Sequence, residues 1–207
     1  GSVSTLPCYE YCIITSSKLV PAFRRLIAWK RMKGLDAGVV TIEQIKSDPN
    51  ITGDLNSNIF DDAGKIRQYL TAAYIKGTRF VLFGGDYTIL PVRYGSGSNV
   101  VTDSYYNIPT DLYFSDLNSD WNPGGGNYYG KPSDKLDYWP ELYVGRILCT
   151  KSEEVERYAN KLIQYEMNPE NYNFSYVKNA FYTQSDQLQQ NEDAQEISAI
   201  LNPVFDK

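Results

Sequence analysis

The sequence contains no histidine among its 207 residues. The common Ser-His-Asp and Cys-His catalytic groups use an imidazole as general base, so this absence excludes both for the chain alone. Most zinc sites also include a histidine ligand, which makes a zinc site of that kind equally unsupported. Any chemistry that depends on an imidazole must therefore be supplied from outside these residues.

Cysteine is scarce as well, with only Cys8, Cys12 and Cys149 in the chain. In an extended strand Cys8 and Cys12 would lie roughly 13 Å apart, whereas a disulfide needs Cα atoms within about 7 Å of each other. The spacing is also not of the C-x-x-C type that binds metals. We therefore predict three small, buried hydrophobic side chains.

Long apolar runs and basic patches are missing too. The longest apolar runs, such as residues 80–83, are far shorter than the roughly 18 residues of a membrane span. The net charge of −5 is unevenly spread: residues 1–100 carry 12 Lys/Arg against 8 Asp/Glu (+4), and residues 101–207 carry 8 against 17 (−9). Since the apolar runs are so short, we expect no membrane span. Since no basic patch is interleaved with aromatic residues, we also expect no nucleic-acid partner.

Strand-like and helix-like segments alternate along the chain. This alternation predicts an α/β fold with a mostly parallel sheet and helices on both faces. The uninterrupted apolar run of the third strand predicts a central strand that is buried on both sides. The predicted strands span 11–15, 37–42, 79–83, 142–148 and 179–183, and the predicted helices begin after Ser17, near Asp61, after Thr150 and near Asn191.

Local signals mark where the helices begin. Ser16 or Ser17 is suited to cap the first helix, and Asp61 to cap the second. Thr150, followed three residues later by Glu153, fits a capping box for the helix that follows the fourth strand. These signals predict the helix starts without reference to tertiary contacts.

A stretch of about 50 residues, 87–140, separates the third and fourth strands and is too long for an ordinary loop. It is rich in Tyr, Asp, Asn, Gly and Pro, and we predict a functional or metal-braced excursion. Its segment 95–98 is not a phosphate loop because it does not join a strand to a helix, and no organic cofactor is expected. Its tyrosines either bind sugars or proteins, or pack the insertion onto the sheet.

The insertion contains oxygen-bearing side chains at alternating positions: Asp116, Asn118 and Asp120. Such a pattern, with Asp111 added, can wrap a hard cation such as calcium. It is not an EF-hand, because the sixth position is Trp121 rather than Gly. The alternative is a series of Asx-turns in a polar loop.

Asp86 directly follows the third predicted strand, where ligand sites of α/β sheets are found. A functional role is one interpretation. The other is that the carboxylate caps a turn or pairs with an arginine such as Arg146.

The order of these segments resembles the N-terminal subdomain of gingipain-like cysteine peptidases. The motifs that carry the resemblance are, in chain order, FVLFGGDYTILP, TDLYFSDLNSDWN, ELYVGRI and SEEVERYANKLIQYE. The resemblance covers about residues 10–168. It implies a caspase-like, three-layer α/β/α architecture with two side-by-side subdomains: an N-terminal one over 1–170, and a catalytic one of which 171–207 is only the start.

The resemblance also implies secretion or cell-surface location in bacteria, and often bound calcium. The family's catalytic His and Cys each follow a strand of the second subdomain, so the resemblance assigns no catalytic residue to this chain. None of the three cysteines matches the nucleophile position. The family-pattern positions, expected to be structural or metal-binding, are Gly85, Asp86, Asp111, Tyr113, Asp116, Gly145, Arg146, Tyr165 and Glu166.

Two hypotheses follow for function. The first is the N-terminal part of a secreted cysteine endopeptidase, partnered in cis by its catalytic subdomain and acting on protein or peptide substrates. The second is a non-catalytic extracellular module that binds glycan or protein and is braced by calcium. A flavodoxin-like nucleotide binder is a weaker third, since no phosphate loop follows the first strand.

Overall fold

The structure is a computed structural model that describes residues 5–99, 104–137 and 139–167. The chain divides into two compact units, Gly1–Asn160 and Lys161–Lys207. The strand and helix predicted at 179–183 and 191–201 lie outside the described residues. The division into subdomains over 1–170 and 171–207 therefore stays a prediction.

Four strands form a parallel sheet in the order β2-β1-β3-β6, and the other two form an antiparallel hairpin. The strands are β1 (Tyr11–Thr15), β2 (Ala37–Thr41), β3 (Phe80–Gly84), β4 (Arg93–Asn99), β5 (Ser104–Thr110) and β6 (Tyr143–Ile147). The parallel sheet confirms the predicted fold class. β3 is central, as its apolar run predicts, because β1 and β6 flank it.

Helices cover both faces of the sheet. The helices are α1 (Arg24–Met32), α2 (Ile42–Ser47), α3 (Asp62–Ile75), α4 (Leu112–Ser115) and α5 (Ser152–Met167). On one face, alternate residues of β1 and β3 such as Ile14 and Phe83 join α2, α3 and α4 in one apolar core. On the other, Phe23 packs against Gly84, where a Cβ would lie 2.2 Å from its ring. This close contact positions the start of α1 against the sheet.

Two predicted helix starts differ from those observed. Neither Ser16 nor Ser17 caps α1, because a 3₁₀ turn, Val20–Phe23, precedes the helix and has Leu19 at its cap. At α5 the glutamate that reaches back is Glu154 rather than Glu153, and its Oε2 accepts from two backbone N–H groups. By contrast, Asp61 caps α3 as predicted, through a 2.8 Å bond from the Gly64 N–H.

Several elements of the structure were not predicted from the sequence. Helix α2 begins where the second strand was expected to continue, and Thr41 and Gln44 form its capping box. The pattern T-x-x-Q is the local signal that could have located it. The insertion is also more regular than predicted, since it contains the β4–β5 hairpin, α4 and a 3₁₀ turn at Pro132–Asp134.

No helix within residues 5–99, 104–137 and 139–167 has the length and apolar character needed to cross a membrane.

Candidate functional site

A buried polar network joins α3 to the insertion. At its centre Arg67, 1% exposed, donates to the Asp54 carboxylate and to the backbone oxygens of Asp116 (2.7 Å) and Ser119 (2.8 Å). The Tyr113 hydroxyl donates to the same Asp54 carboxylate over 2.9 Å. Burial, and then the nearby Asp54 carboxylate, raise the pKa of Tyr113, so its hydroxyl stays protonated as a donor. The network braces the insertion against α3.

A second arginine fastens the hairpin to the start of α3. Arg93 makes a two-pronged contact with Asp61, with N–O distances of 2.9 and 2.7 Å. Its guanidinium lies between the rings of Tyr113 and Tyr129, 4.5 and 4.6 Å from their centroids. Partial burial opposes ionisation of Asp61, but hydrogen bonds from Arg93 and the Gly64 N–H outweigh it and lower the pKa of that carboxyl group. The Tyr113 ring is buried and the Tyr129 ring is half-buried, so both help to pack the insertion.

A third arginine organises the carboxyl edge of the sheet. Arg146 in β6 binds Asp111 with two bonds of 2.7 and 2.8 Å. It also donates to the backbone oxygens of Gly85, Leu90 and Pro91, at 3.0 to 3.1 Å. One side chain therefore ties the loop after β3 to the insertion.

Asp86 lies in a tight turn within that loop. Its Oδ1 accepts from the backbone N–H (2.9 Å) and hydroxyl (2.6 Å) of Thr88. These bonds, the hydroxyl bond first, lower the pKa of Asp86. The carboxylate therefore holds a turn, and Arg146 pairs with Asp111 rather than with Asp86.

The four residues predicted to hold calcium do not converge. Asp111 is engaged by Arg146, and the two oxygens of Asp116 accept from the Ser119 N–H (3.0 Å) and the Trp121 indole (3.1 Å). Both Asp116 oxygens therefore already have protein donors.

The other two predicted ligands are also engaged within the protein. Asp120 accepts from the backbone of Asn122, and the Asn118 amide donates to Glu141. Among the described residues, no three Asp, Glu, Cys or His side chains are grouped so that they could hold a metal ion. Calcium binding stays a prediction.

The remaining family-pattern positions are Gly145, Tyr165 and Glu166. Gly145 is an exposed residue of β6 with open space around the place of a Cβ. Tyr165 and Glu166 are in the last turn of α5, within the second unit, where Tyr165 is 59% exposed.

An open cleft of about 590 Å³ lies outside the carboxyl ends of the strands. Its walls are α2, the first turn of α3 and the loop after β3; the lining side chains include Glu43, Lys46, Asp62, Tyr87 and Thr88. The strand that follows β1 in the chain, β2, lies on one side of it, whereas β3 and then β6 are added on the other side. The direction of strand addition therefore reverses between β1 and β3, beside this cleft. Open α/β sheets commonly bind ligands at such a switch point.

The three thiols are free, and Cys12 and Cys149 are buried. Burial raises the pKa of Cys12 to about 12. Burial, and then the carboxylates of Glu154 and Asp86, raise the pKa of Cys149 to about 11. A thiol is nucleophilic only as thiolate, so neither is suited to attack a substrate near neutral pH.

We expect alkylation by iodoacetamide at pH 8 to be slow for native Cys12 and Cys149 and faster for the half-buried Cys8. The raised pKa values leave little thiolate at this pH, and burial limits access. Peptide mapping by mass spectrometry after timed labelling measures the three rates. The same labelling in urea is the control, in which all three should react alike; rapid native labelling of Cys12 would contradict the structure.

The sequence pointed to Asp86, Asp111, Tyr113, Asp116 and Arg146 but not to the partners that these residues have in the structure. Asp54, Arg67 and Arg93 were missed, although these residues hold the insertion in place. Arg67 stands beside Ile66 and near Leu70 on a buried helix face. A charged residue within an apolar face is the one local signal that could have identified it.

The fold and its buried networks define a doubly wound α/β unit with an elaborate insertion and, in the described part, no assembled catalytic group. A family model of peptidase family C25 matches residues 4–206. The chain therefore belongs to peptidase family C25, and this match confirms the resemblance to gingipain-like cysteine peptidases.

Two solved structures from Porphyromonas gingivalis share the fold. Dimeric latent PorU is 17% identical with a TM-score of 0.55, over 93% of this chain and 18% of that one. The complex of RgpB pro- and mature domains is 21% identical with a TM-score of 0.50, over 75% and 29%. The chain thus spans less than a third of either structure. No curated protein sequence matches it.

Proposed function

We propose that this chain is the N-terminal part of a secreted, gingipain-like cysteine endopeptidase whose catalytic His and Cys lie downstream of it. The observation that carries the proposal is the match to peptidase family C25 over residues 4–206 in a chain without histidine. The raised thiol pKa values agree with it, because they leave Cys12 and Cys149 unsuited to act as nucleophiles.

In the whole enzyme, a thiolate assisted by histidine would attack the peptide carbonyl and form an acyl-enzyme. Backbone N–H groups would stabilise the oxyanion. The residues of this chain would contribute a rigid support rather than chemistry. Arg67, Arg93 and Arg146 hold the insertion and the loop after β3 in fixed positions against the sheet. The catalytic subdomain would be the partner of this chain in cis.

The test compares the 207-residue chain with a longer protein from the same reading frame. Fluorogenic peptides that report cleavage after Arg, Lys or a neutral residue are incubated with each protein and a reductant. We expect turnover only from the longer protein, and none from it once its downstream cysteine is changed to Ala. Hydrolysis by the short chain that disappears in Cys149→Ser would contradict the proposal, and so would a longer protein with no downstream His and Cys.

The second candidate is an extracellular binding module without catalysis. Exposed aromatic side chains in and beside the insertion favour it: Tyr128, Trp139 and Tyr143 are 47%, 77% and 69% exposed. Such rings bind sugars or proteins when they are not covered. A reading frame that ends soon after Lys207, or continues into an unrelated domain, would favour this candidate over the peptidase.

A further inference from the structure

The cleft at the carboxyl edge of the sheet combines an aromatic ring with adjacent donors and acceptors. Tyr87 lines the cleft and is 68% exposed. Lys46 of α2 and Asp62 of α3, 2.6 Å apart, also line the cleft. The cleft therefore offers a largely exposed aromatic ring together with an ammonium and a carboxylate.

The walls of the cleft are held in place by the fold. The Asp86 turn fixes the residues on either side of Tyr87, because Asp86 binds Thr88 and its own N–H donates to the Cys149 oxygen. On the other wall, Glu43 accepts from the backbone and hydroxyl of Ser17. A ligand would meet a largely preformed site, which lowers the entropy cost of binding.

The charges in the cleft disfavour two ligand classes. A phosphate would need an uncommitted cation, but Lys46 already pairs with Asp62, and no glycine-rich phosphate loop is present in the described chain. A purely apolar ligand would leave both charges without their water. A neutral polyhydroxy ligand suits the site, because neighbouring hydroxyls can donate to Asp62 and accept from Lys46 while an apolar ring face covers Tyr87.

We propose that this cleft binds a neutral saccharide, with a pyranose ring stacked on Tyr87 and its hydroxyl groups hydrogen-bonded to Lys46 and Asp62. The volume of about 590 Å³ lies within the range of small-molecule sites. Because the cleft is open, only part of the ligand is covered, and we expect dissociation constants in the millimolar range. The inference goes beyond the proposed peptidase function and does not depend on it.

The experiment titrates the full 207-residue chain with maltose, cellobiose, lactose and chitobiose up to about 20 mM, followed by saturation-transfer NMR. At least one disaccharide should bind saturably. Tyr87→Ala should weaken binding about tenfold or more, Tyr87→Phe should retain it, and Lys46→Met should weaken it severalfold. Tyr94→Ala is the matched control, because Tyr94 is an exposed tyrosine (45%) outside the cleft, and it should bind as the unaltered chain does.

Three results would overturn the inference. They are no saturable binding of any of the four disaccharides, equal binding by Tyr87→Ala and Tyr94→Ala, and tighter binding of inorganic phosphate than of every disaccharide. Unfolding midpoints of all variants are measured alongside, and each exposed substitution should leave the fold intact. Peptidase activity of the longer protein is not a readout, so failure here is separate from failure of the proposed function.

Discussion

Arg67→Met is expected to lower the free energy of unfolding by about 3 to 5 kcal/mol, the cost typical of removing one partner of a buried ion pair. Arg67 and Asp54 have side-chain exposures of 1% and 6%, so the Asp54 carboxylate would be left buried with Tyr113 as its remaining side-chain donor. The backbone oxygens of Asp116 and Ser119 would also lose their donor. Urea unfolding followed by circular dichroism measures the loss.

Lys46→Met is the matched control for this prediction. It also removes one cation from an ion pair, but Lys46 and Asp62 are 48% and 43% exposed, and such pairs contribute only about 0 to 1 kcal/mol. The double variant Arg67→Met with Asp54→Leu should recover part of the loss, because it removes the unpaired buried charge. A loss for Arg67→Met no larger than that of the control would show that the network does not brace the insertion.

Arg146→Met is expected to cost about 3 kcal/mol, since four acceptors, two of them in buried residues and two in half-buried ones, would lose a donor at a cost of about 1 kcal/mol or slightly less each on average. Three of these acceptors are the backbone oxygens of Gly85, Leu90 and Pro91, and the fourth partner is the Asp111 carboxylate. Because these bonds hold the loop after β3, amide hydrogen exchange there should also accelerate. The Leu90 N–H, which donates to the backbone oxygen of Asp86, is the most direct probe.

Arg79→Met provides the comparison for Arg146. Arg79 also donates to backbone oxygens, those of Tyr74 and Thr78, but its side chain is exposed. The substitution should change stability by less than about 1 kcal/mol and leave exchange at Leu90 unaltered. Equal effects of the two substitutions would mean that Arg146 contributes no more than a surface arginine and does not hold the loop after β3 in place.

Much of the fold could be predicted from the sequence because its signals are local. β1 was predicted with its observed bounds, the apolar run at 80–83 indicated the central strand, and Asp61 was identified as the cap of α3. Apolar periodicity and capping depend on residues within about one turn of each other. The family motifs likewise indicated the fold before any contact was known.

The candidate site depended on the tertiary structure. The predicted calcium ligands are close in sequence, at Asp116, Asn118 and Asp120, yet their side chains bind different partners. Asp111 forms an ion pair with Arg146, which is 35 residues further along the chain. Arg67 meets the Asp116 backbone across 49 residues. Spacing alone identifies residues that are able to share a cation, but not the protein groups that hydrogen-bond to them in the folded chain. A buried carboxylate must be paired, and only the packing of distant segments decided which partner each one received.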